Sequence, residues 1–247
     1  MSEENNNKKW WASALQIGGV VAFVALPIGA LGTKFGVWEF TLGFMLLAVG
    51  VVLATAVFFL GLIAVIVSHI RQMTAGRNSS AIGLGFGILV LGIVLGPAMS
   101  AFSVPPIHNI TTDTENPPAF NKIAALRDEL KTPNPHAYDA KYAEQQKPAY
   151  PQLKSLISSS NVADMMGKVT AAIETMGMEV VAVDAAAGVV EATDETFWFG
   201  FKDDVVVRVK PEGTGSIVDV RSVSRVGQSD LGKNAQRIGE LLSHLKD

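Results

Sequence analysis

Three long apolar runs open the chain: residues 12–31, 40–67 and 81–102, of 20, 28 and 22 residues, none interrupted by a charge. A helix rises 1.5 Å per residue, so about 20 residues cross a hydrocarbon core of roughly 30 Å. Backbone polar groups in lipid bond only within their own segment, so runs of this length predict three transmembrane helices. The second is longer than a crossing needs and is expected to tilt or extend past the bilayer. Lys8 and Lys9 precede the first run as they would in a signal peptide. That run exceeds the ~7–15 apolar residues of a signal segment and has no clear small-x-small cleavage site, which predicts a retained helix.

From residue 103 the pattern changes. Eight of the eleven prolines fall in residues 105–151, with Pro105-Pro106 and Pro117-Pro118 as adjacent pairs. Proline favours extended backbone and donates no hydrogen bond, so residues 103–154 read as an extended strap, with one short helix at 121–131. Ile107, Ile110, Phe120, Tyr138, Tyr142 and Tyr150 lie within it. Apolar side chains of that size predict a strap that packs against something, with Asp113 or Asn116 bonded to the Arg221–Arg225 region.

Val162, Met165, Met166, Val169, Ile173 and Met176 then fall at helical spacing, with Asn161 placed to cap and Gly177 to end the helix. Strand-like runs follow at 178–184, 189–201, 205–210 and 216–223, linked by short turn signals. A last helix starts near Ser229 and carries Leu231, Ala235, Ile238, Leu242 and Leu245 on one face. The order α-β-β-β-β-α predicts an α+β fold: three transmembrane helices followed by a four-stranded antiparallel sheet with helices packed on one face. Side-chain parity puts Val205, Val207, Val209, Val218 and Val220 under the helices, leaving Arg208, Lys210, Asp219 and Arg221 on the opposite face. Phe197, Phe199 and Phe201 join the core on this reading and Trp198 faces out. A bulge near residues 192–196 reconciles their parity with that of Val190 and Ala192.

Charge sharpens the division. Residues 10–102 hold four charges and residues 103–247 hold 35. The chain thus reads as a tail at 1–9, a membrane domain at 10–102, the strap at 103–154 and an α+β domain at 155–247. A wholly soluble enzyme and a disordered chain are both excluded. The second half carries 15 basic and 20 acidic residues, which argues against nucleic acid as a partner. There is no cysteine, so disulfides, thiolate metal sites and cysteine nucleophiles are excluded. Basic residues at the helix ends number two (Lys8, Lys9), one (Lys34), two (Arg71, Arg77) and none. By the positive-inside rule the N-terminus is cytoplasmic and the C-terminal domain is outside, which in a bacterium means inner membrane and periplasm. Trp10, Trp11 and Trp38 sit at helix ends, where indoles prefer the interface.

Chemistry is sparse. No Walker loop, G-x-S-x-G or H-E-x-x-H pattern occurs, and His69, His108, His136 and His244 have no ligand spacing, so no catalytic, metal or cofactor site is expected. His108 with Asp113 offers an acid/base pair, and Asp203-Asp204 a weak cation site, though adjacent aspartates usually form turns. Gly83 with Gly87, and Gly92 with Gly96, have the small-xxx-small spacing of close helix packing, within the chain or against another subunit. No charge lies at mid-membrane, which counts against a transporter.

Four stretches carry a resemblance. Pro105-Pro106-Ile107-His108-Asn109-Ile110-Thr111-Thr112-Asp113-Thr114-Glu115-Asn116-Pro117-Pro118 resembles the opening motif of the bacterial and chloroplast family known as domain of unknown function 1499. Thr196-Phe197-Trp198-Phe199-Gly200-Phe201-Lys202-Asp203-Asp204-Val205 and Asp219-Val220-Arg221-Ser222-Val223-Ser224-Arg225-Val226-Gly227 resemble its closing motifs. Ser229-Asp230-Leu231-Gly232-Lys233-Asn234-Ala235-Gln236-Arg237-Ile238 resembles its last helix. The likeness covers most of residues 103–247. His108-Asn109 departs from the family, which usually has aspartate after the histidine, and this weakens the acid/base pair. The family has no assigned activity, so the resemblance implies a domain and no mechanism.

The motif stretches yield the candidate ligand or interaction residues: Asp113, Asn116, Trp198, Arg208, Arg221, Arg225, Asp230, Asn234 and Arg237. They either bond the strap onto the sheet or build an anion site around Arg221, Arg225 and Arg237. The leading expectation is a non-catalytic envelope protein, an accessory or scaffold subunit whose partners are the lipid bilayer and other membrane or periplasmic subunits. The alternative is an envelope enzyme or binding protein acting on an anionic lipid or cell-wall ligand through the arginines.

Overall fold

A computed structural model describes residues 10–74, 76–101 and 103–246. Lys8 and Lys9, on which the orientation expectation leans, and Phe102 lie outside the described residues. Two compact units result, one holding the described residues up to Ser100 together with Phe197–Gly200, the other residues 101–196 and 201–246.

The first unit is built from α1 (Trp10–Lys34), α2 (Phe40–Ile70) and α3 (Arg77–Ala101). Each is long and apolar enough to cross a membrane. Pro27 and Pro97 lie inside α1 and α3. Small residues bring the three backbones together. A Cβ added to Gly83 would sit 2.5 Å from the Leu15 carbonyl oxygen of α1, and one on Gly87 would sit 3.0 Å from the Ala54 carbonyl of α2. Gly92 and Gly96 have nothing within 4 Å of that position. Much of the remaining surface is apolar: Val52, Phe59, Ile63 and Ile88 are all more than half exposed.

The second unit runs β1 (Asn109–Thr111), α4 (Lys122–Glu129), α5 (Lys141–Ala149), β2 (Leu156–Ser158), α6 (Val162–Thr175), β3 (Glu179–Asp184), β4 (Val189–Glu195), β5 (Lys202–Glu212), β6 (Gly215–Ser224) and α7 (Lys233–Leu245). The sheet is antiparallel in the order β1-β6-β5-β4-β3, with β2 also on β6. It has six strands rather than the four expected. β1 pairs with residues 221–223 and β2 with residues 216–218, so the two lie in tandem along the free edge of β6. Three-residue strands are too short to leave an alternating pattern, yet they satisfy backbone groups that would otherwise template aggregation.

One face packs as parity predicts. Val205, Val207, Val209, Val218 and Val220 join Met165, Val169 and Ile173 of α6 and Ile238, Leu241 and Leu245 of α7 in the main core. Asn161 Oδ1 accepts the Asp164 N–H at 3.0 Å and caps α6, and Gly177 ends it at φ +76°. Other expectations need correction. The opposite face is not a bare polar surface: Phe120 and Ile123 pack there on Val206 and Val223, so helices cover both faces. The aromatic run is not strand. β4 stops at Glu195, and Thr196 and Phe201 close a tight connection through two hydrogen bonds of 2.8 and 2.9 Å. Phe197 is therefore 71% exposed instead of buried. No bulge falls at 192–196, since β4 pairs with β5 without interruption; the register shift lies at Val180/Ala182 in β3. Leu231 precedes α7 and is exposed rather than on its apolar face.

Candidate functional site

Two polar networks, one on each face of β5 and β6, hold most of the candidate residues. They arise because consecutive strand residues face opposite ways. Asp203 and Asp204 are neighbours in β5, not turn residues, and each feeds a different network.

On the face that carries α4, the Asp204 carboxylate is fully buried. It accepts from Arg127 Nη1 at 3.0 Å, Arg225 Nε at 2.9 Å, Arg225 Nη2 at 2.7 Å and Thr193 Oγ1 at 2.8 Å. Arg127 comes from α4, which is docked by Glu191 of β4: the buried Glu191 carboxylate accepts the backbone N–H groups of Asn121 and Ile123. A carboxylate there satisfies unpaired N–H groups at a helix start and complements its dipole. Burial lowers the Arg127 pKa, an effect that Asp204 opposes.

Arg221 of β6 fastens the strap on the same face. Its Nε donates to Asn109 Oδ1 at 2.9 Å, Nη1 to the Pro118 carbonyl at 3.1 Å and Nη2 to the His136 carbonyl at 2.6 Å. The guanidinium also lies 5.3 Å from the Phe120 ring centroid and 5.5 Å from that of Tyr138. These three bonds all reach carbonyl oxygens, and burial pushes its pKa down to about 10, leaving it cationic at neutral pH. Burial likewise pushes the Tyr138 phenol up to about 12. Arg208 Nη2 donates to Asp113 Oδ2 at 3.0 Å, to Asp219 Oδ2 at 2.7 Å and to the Asn116 carbonyl at 2.9 Å. The strap is thus pinned, but the partner of Asp113 and Asn116 is Arg208 rather than the Arg221–Arg225 region. The residue that meets Arg221 is Asn109.

On the face that carries α7, Arg237 donates to Asp194 Oδ2 through Nε at 2.9 Å and Nη2 at 2.6 Å, and to Asp203 Oδ2 at 2.8 Å. Burial opposes its charge, but Asp203 and Asp194 outweigh burial and raise its pKa. Asn234 is wholly buried and saturated: Oδ1 accepts from Ser222 and Arg237, and Nδ2 donates to the His108 carbonyl and Ser224 Oγ. Asp230 accepts the backbone N–H groups of Gly232 and Asn234 at 2.8 Å each and so satisfies a free N–H in the first turn of α7; burial raises its pKa. His108 bonds Tyr142 OH at 3.3 Å and the Gln228 carbonyl at 3.4 Å, and burial lowers its pKa. It does not meet Asp113. Trp198 stands apart from both networks, 54% exposed in the β4–β5 connection with its ring against Phe197.

Every arginine of this unit is therefore held by carboxylates or carbonyls of the same unit. The depression beside Arg237, about 140 Å³, is lined by Asp194 and Glu240 as well as by Lys233 and Arg237, so it carries both signs of charge. Among the described residues no group of three or more His, Asp or Glu could hold a metal ion. Sequence reasoning missed Glu191 and Thr193, although strand parity places them beside Asp204. It also missed Arg127 and Gln146. The Gln146 side chain accepts from the Thr111 N–H at 3.0 Å and donates to the Thr111 carbonyl at 2.6 Å, standing in for a neighbouring strand. Nothing in the local pattern marks either residue.

No curated protein matches the chain. The family model described as protein of unknown function, DUF1499, matches residues 109–245, more than half of the chain, beginning at β1 and ending in α7, and the chain belongs to that family.

Proposed function

We propose that the protein is a multi-pass envelope protein of the bacterial inner membrane. Its α+β domain is periplasmic and serves as a non-catalytic interaction module, an accessory or scaffold subunit of a membrane complex. The observation that carries this reading is the internal pairing of the arginines. Arg208 through Nη2, and Arg221, Arg225 and Arg237 through several donors each, are bonded to the strap and the sheet, and internally paired cations of this kind make a rigid shape rather than a reactive site. Three helices apolar enough to span a bilayer support the anchor, and the basic residues at their ends support the orientation.

Two experiments test it. Protease added to spheroplasts should digest residues 103–247 and spare the first 100; a C-terminal reporter active only in the cytoplasm would reverse the orientation. Purification of the full chain in mild detergent, followed by mass spectrometry, should return a defined membrane or periplasmic partner at constant stoichiometry. Recovery of the chain alone at native expression would count against a subunit role.

A further inference from the structure

One feature of the helical unit goes beyond anchoring. Between α1 and α2 lies a groove of about 540 Å³ with an almost wholly apolar lining. Trp10, Trp11, Ser68 and Met73 form one end, and the walls continue through residues such as Leu60 and Val57 to Leu53 and Gly18. Its volume is that of a small-molecule site.

Ser68 distinguishes it from an ordinary furrow between helices. The residue is 1% exposed, and its Oγ has no hydrogen-bond partner among the described residues. Hydroxyls in apolar helices ordinarily bond the carbonyl four residues back. Thr33, Thr55 and Ser80 all do so, at 3.1, 2.8 and 2.9 Å. Ser68 does not, and a buried hydroxyl left unpaired is costly. A rotation about χ1 to another staggered rotamer, turning Oγ towards the groove, lets a ligand acceptor there remove the cost.

Depth and length name the ligand. Ser68 lies two residues from the end of α2, and Trp10 and Trp11 begin α1. Indoles at helix ends mark the headgroup boundary. The lining runs from Trp10 to Gly18 along α1, about 12 Å at 1.5 Å per residue, and from Ser68 to Leu53 along α2, about 22 Å. One leaflet contributes about 15 Å of hydrocarbon, half of a ~30 Å core. The groove thus starts at the boundary, and the spans of its two walls bracket the depth of one leaflet, as a site for one acyl chain of that leaflet requires.

We infer that this groove binds a single phospholipid, one acyl chain lying along α2 from Ser68 towards Leu53 and its ester carbonyl accepting a hydrogen bond from Ser68 Oγ. The inference rests on the membrane reading above. The chemistry recognised is the ester and chain, common to glycerophospholipids, so the headgroup is not selected by Ser68.

The test uses the full chain reconstituted in vesicles of palmitoyl-oleoyl phosphatidylglycerol, extracted in dodecyl maltoside and weighed by native mass spectrometry. The wild type should retain one lipid. Ala64→Trp, which fills the groove, should lower retention at least tenfold. Ser68→Ala, which removes only the hydroxyl, should lower it about fivefold, the effect of one neutral hydrogen bond. Val49→Trp, on the exposed surface outside the groove, should leave it unchanged. Equal retention by wild type and Ser68→Ala overturns the proposal even if Ala64→Trp fails to fold. A lipid-free dimer that Ala64→Trp dissociates also overturns it, because a second copy would then fill the groove. Release of the chain from the vesicles by alkaline wash would instead defeat the membrane reading itself, so the two failures are distinguishable.

Discussion

Asp204→Asn is the sharpest perturbation of the second unit. The carboxylate is 0% exposed and takes four hydrogen bonds, three of them from two buried guanidinium groups. An amide keeps the shape but removes the charge and turns N–H hydrogens towards donors. Two cations, Arg127 at 1% and Arg225 at 10% side-chain exposure, then lose the carboxylate they share. Breaking a buried ion pair from one side costs about 3–5 kcal/mol, a large part of the ~5–15 kcal/mol that holds a typical domain. The helical unit unfolds by its own route, so one melting temperature does not define this quantity. Hydrogen exchange of β5 and β6 peptides in the detergent-solubilised full chain does. At 1.4 kcal/mol per decade, amides that exchange through opening of the unit should speed up about a hundredfold to a few thousandfold. Asp113→Asn is the control. Its pair with Arg208 is partly exposed, and Arg208 keeps Asp219, so the expected cost is at most about 1 kcal/mol and under tenfold in exchange. Adding Arg127→Met to Asp204→Asn should recover part of the loss, since an apolar replacement removes one unpaired charge. Acceleration below tenfold in the single Asp204→Asn variant would refute the argument that this carboxylate neutralises the two arginines.

Three further outcomes are expected. Arg221→Lys should loosen the strap, raising exchange across residues 107–138 more than in β3 and β4, because an ammonium cannot match a planar guanidinium bonded at three places; unchanged exchange would remove Arg221 as the fastener. His108, whose pKa burial holds below 6.5, binds protons more readily in the unfolded chain, so its contribution is present above pH 6.5 and is lost as pH falls through the folded value. Exchange of residues 107–112, corrected for intrinsic rates, should therefore rise from pH 7.5 to 5.5, and His108→Gln should flatten that rise; Asp230, with its pKa raised by burial, acts in the opposite sense and remains in both proteins. Gly87→Leu should lower the thermal stability of the helical unit in detergent by the ~1–3 kcal/mol of overpacking, whereas Gly92→Leu should not, since only Gly87 faces a neighbouring backbone within 4 Å.

The apolar runs and most of the elements from α6 to α7 were legible in the sequence because each rests on a local property: run length, or a period of 3.6 or 2. Proline density misled in part: besides α4, the segment read as an extended strap with one short helix folds a second helix, α5, which the sequence reading did not expect and which holds Pro148. Parity alone placed Val205, Val207, Val209, Val218 and Val220 in one core, since a strand's two faces follow from its covalent geometry. Parity could not say what covers the other face. That was decided by α4, whose position depends on Glu191 meeting N–H groups about 70 residues away in the chain. The strands β1 and β2 were likewise invisible, because three residues carry no period and exist as strands only where the edge of β6 lies beside them. Asp203-Asp204 reads as a turn in isolation; in the sheet the pair divides between two faces and meets Arg237 on one and Arg127 with Arg225 on the other. Local chemistry thus determined which residues were polar, apolar or extended, and the pairing of long-range partners decided which charges were neutralised, because ion pairing depends on distance in space and not on separation along the chain.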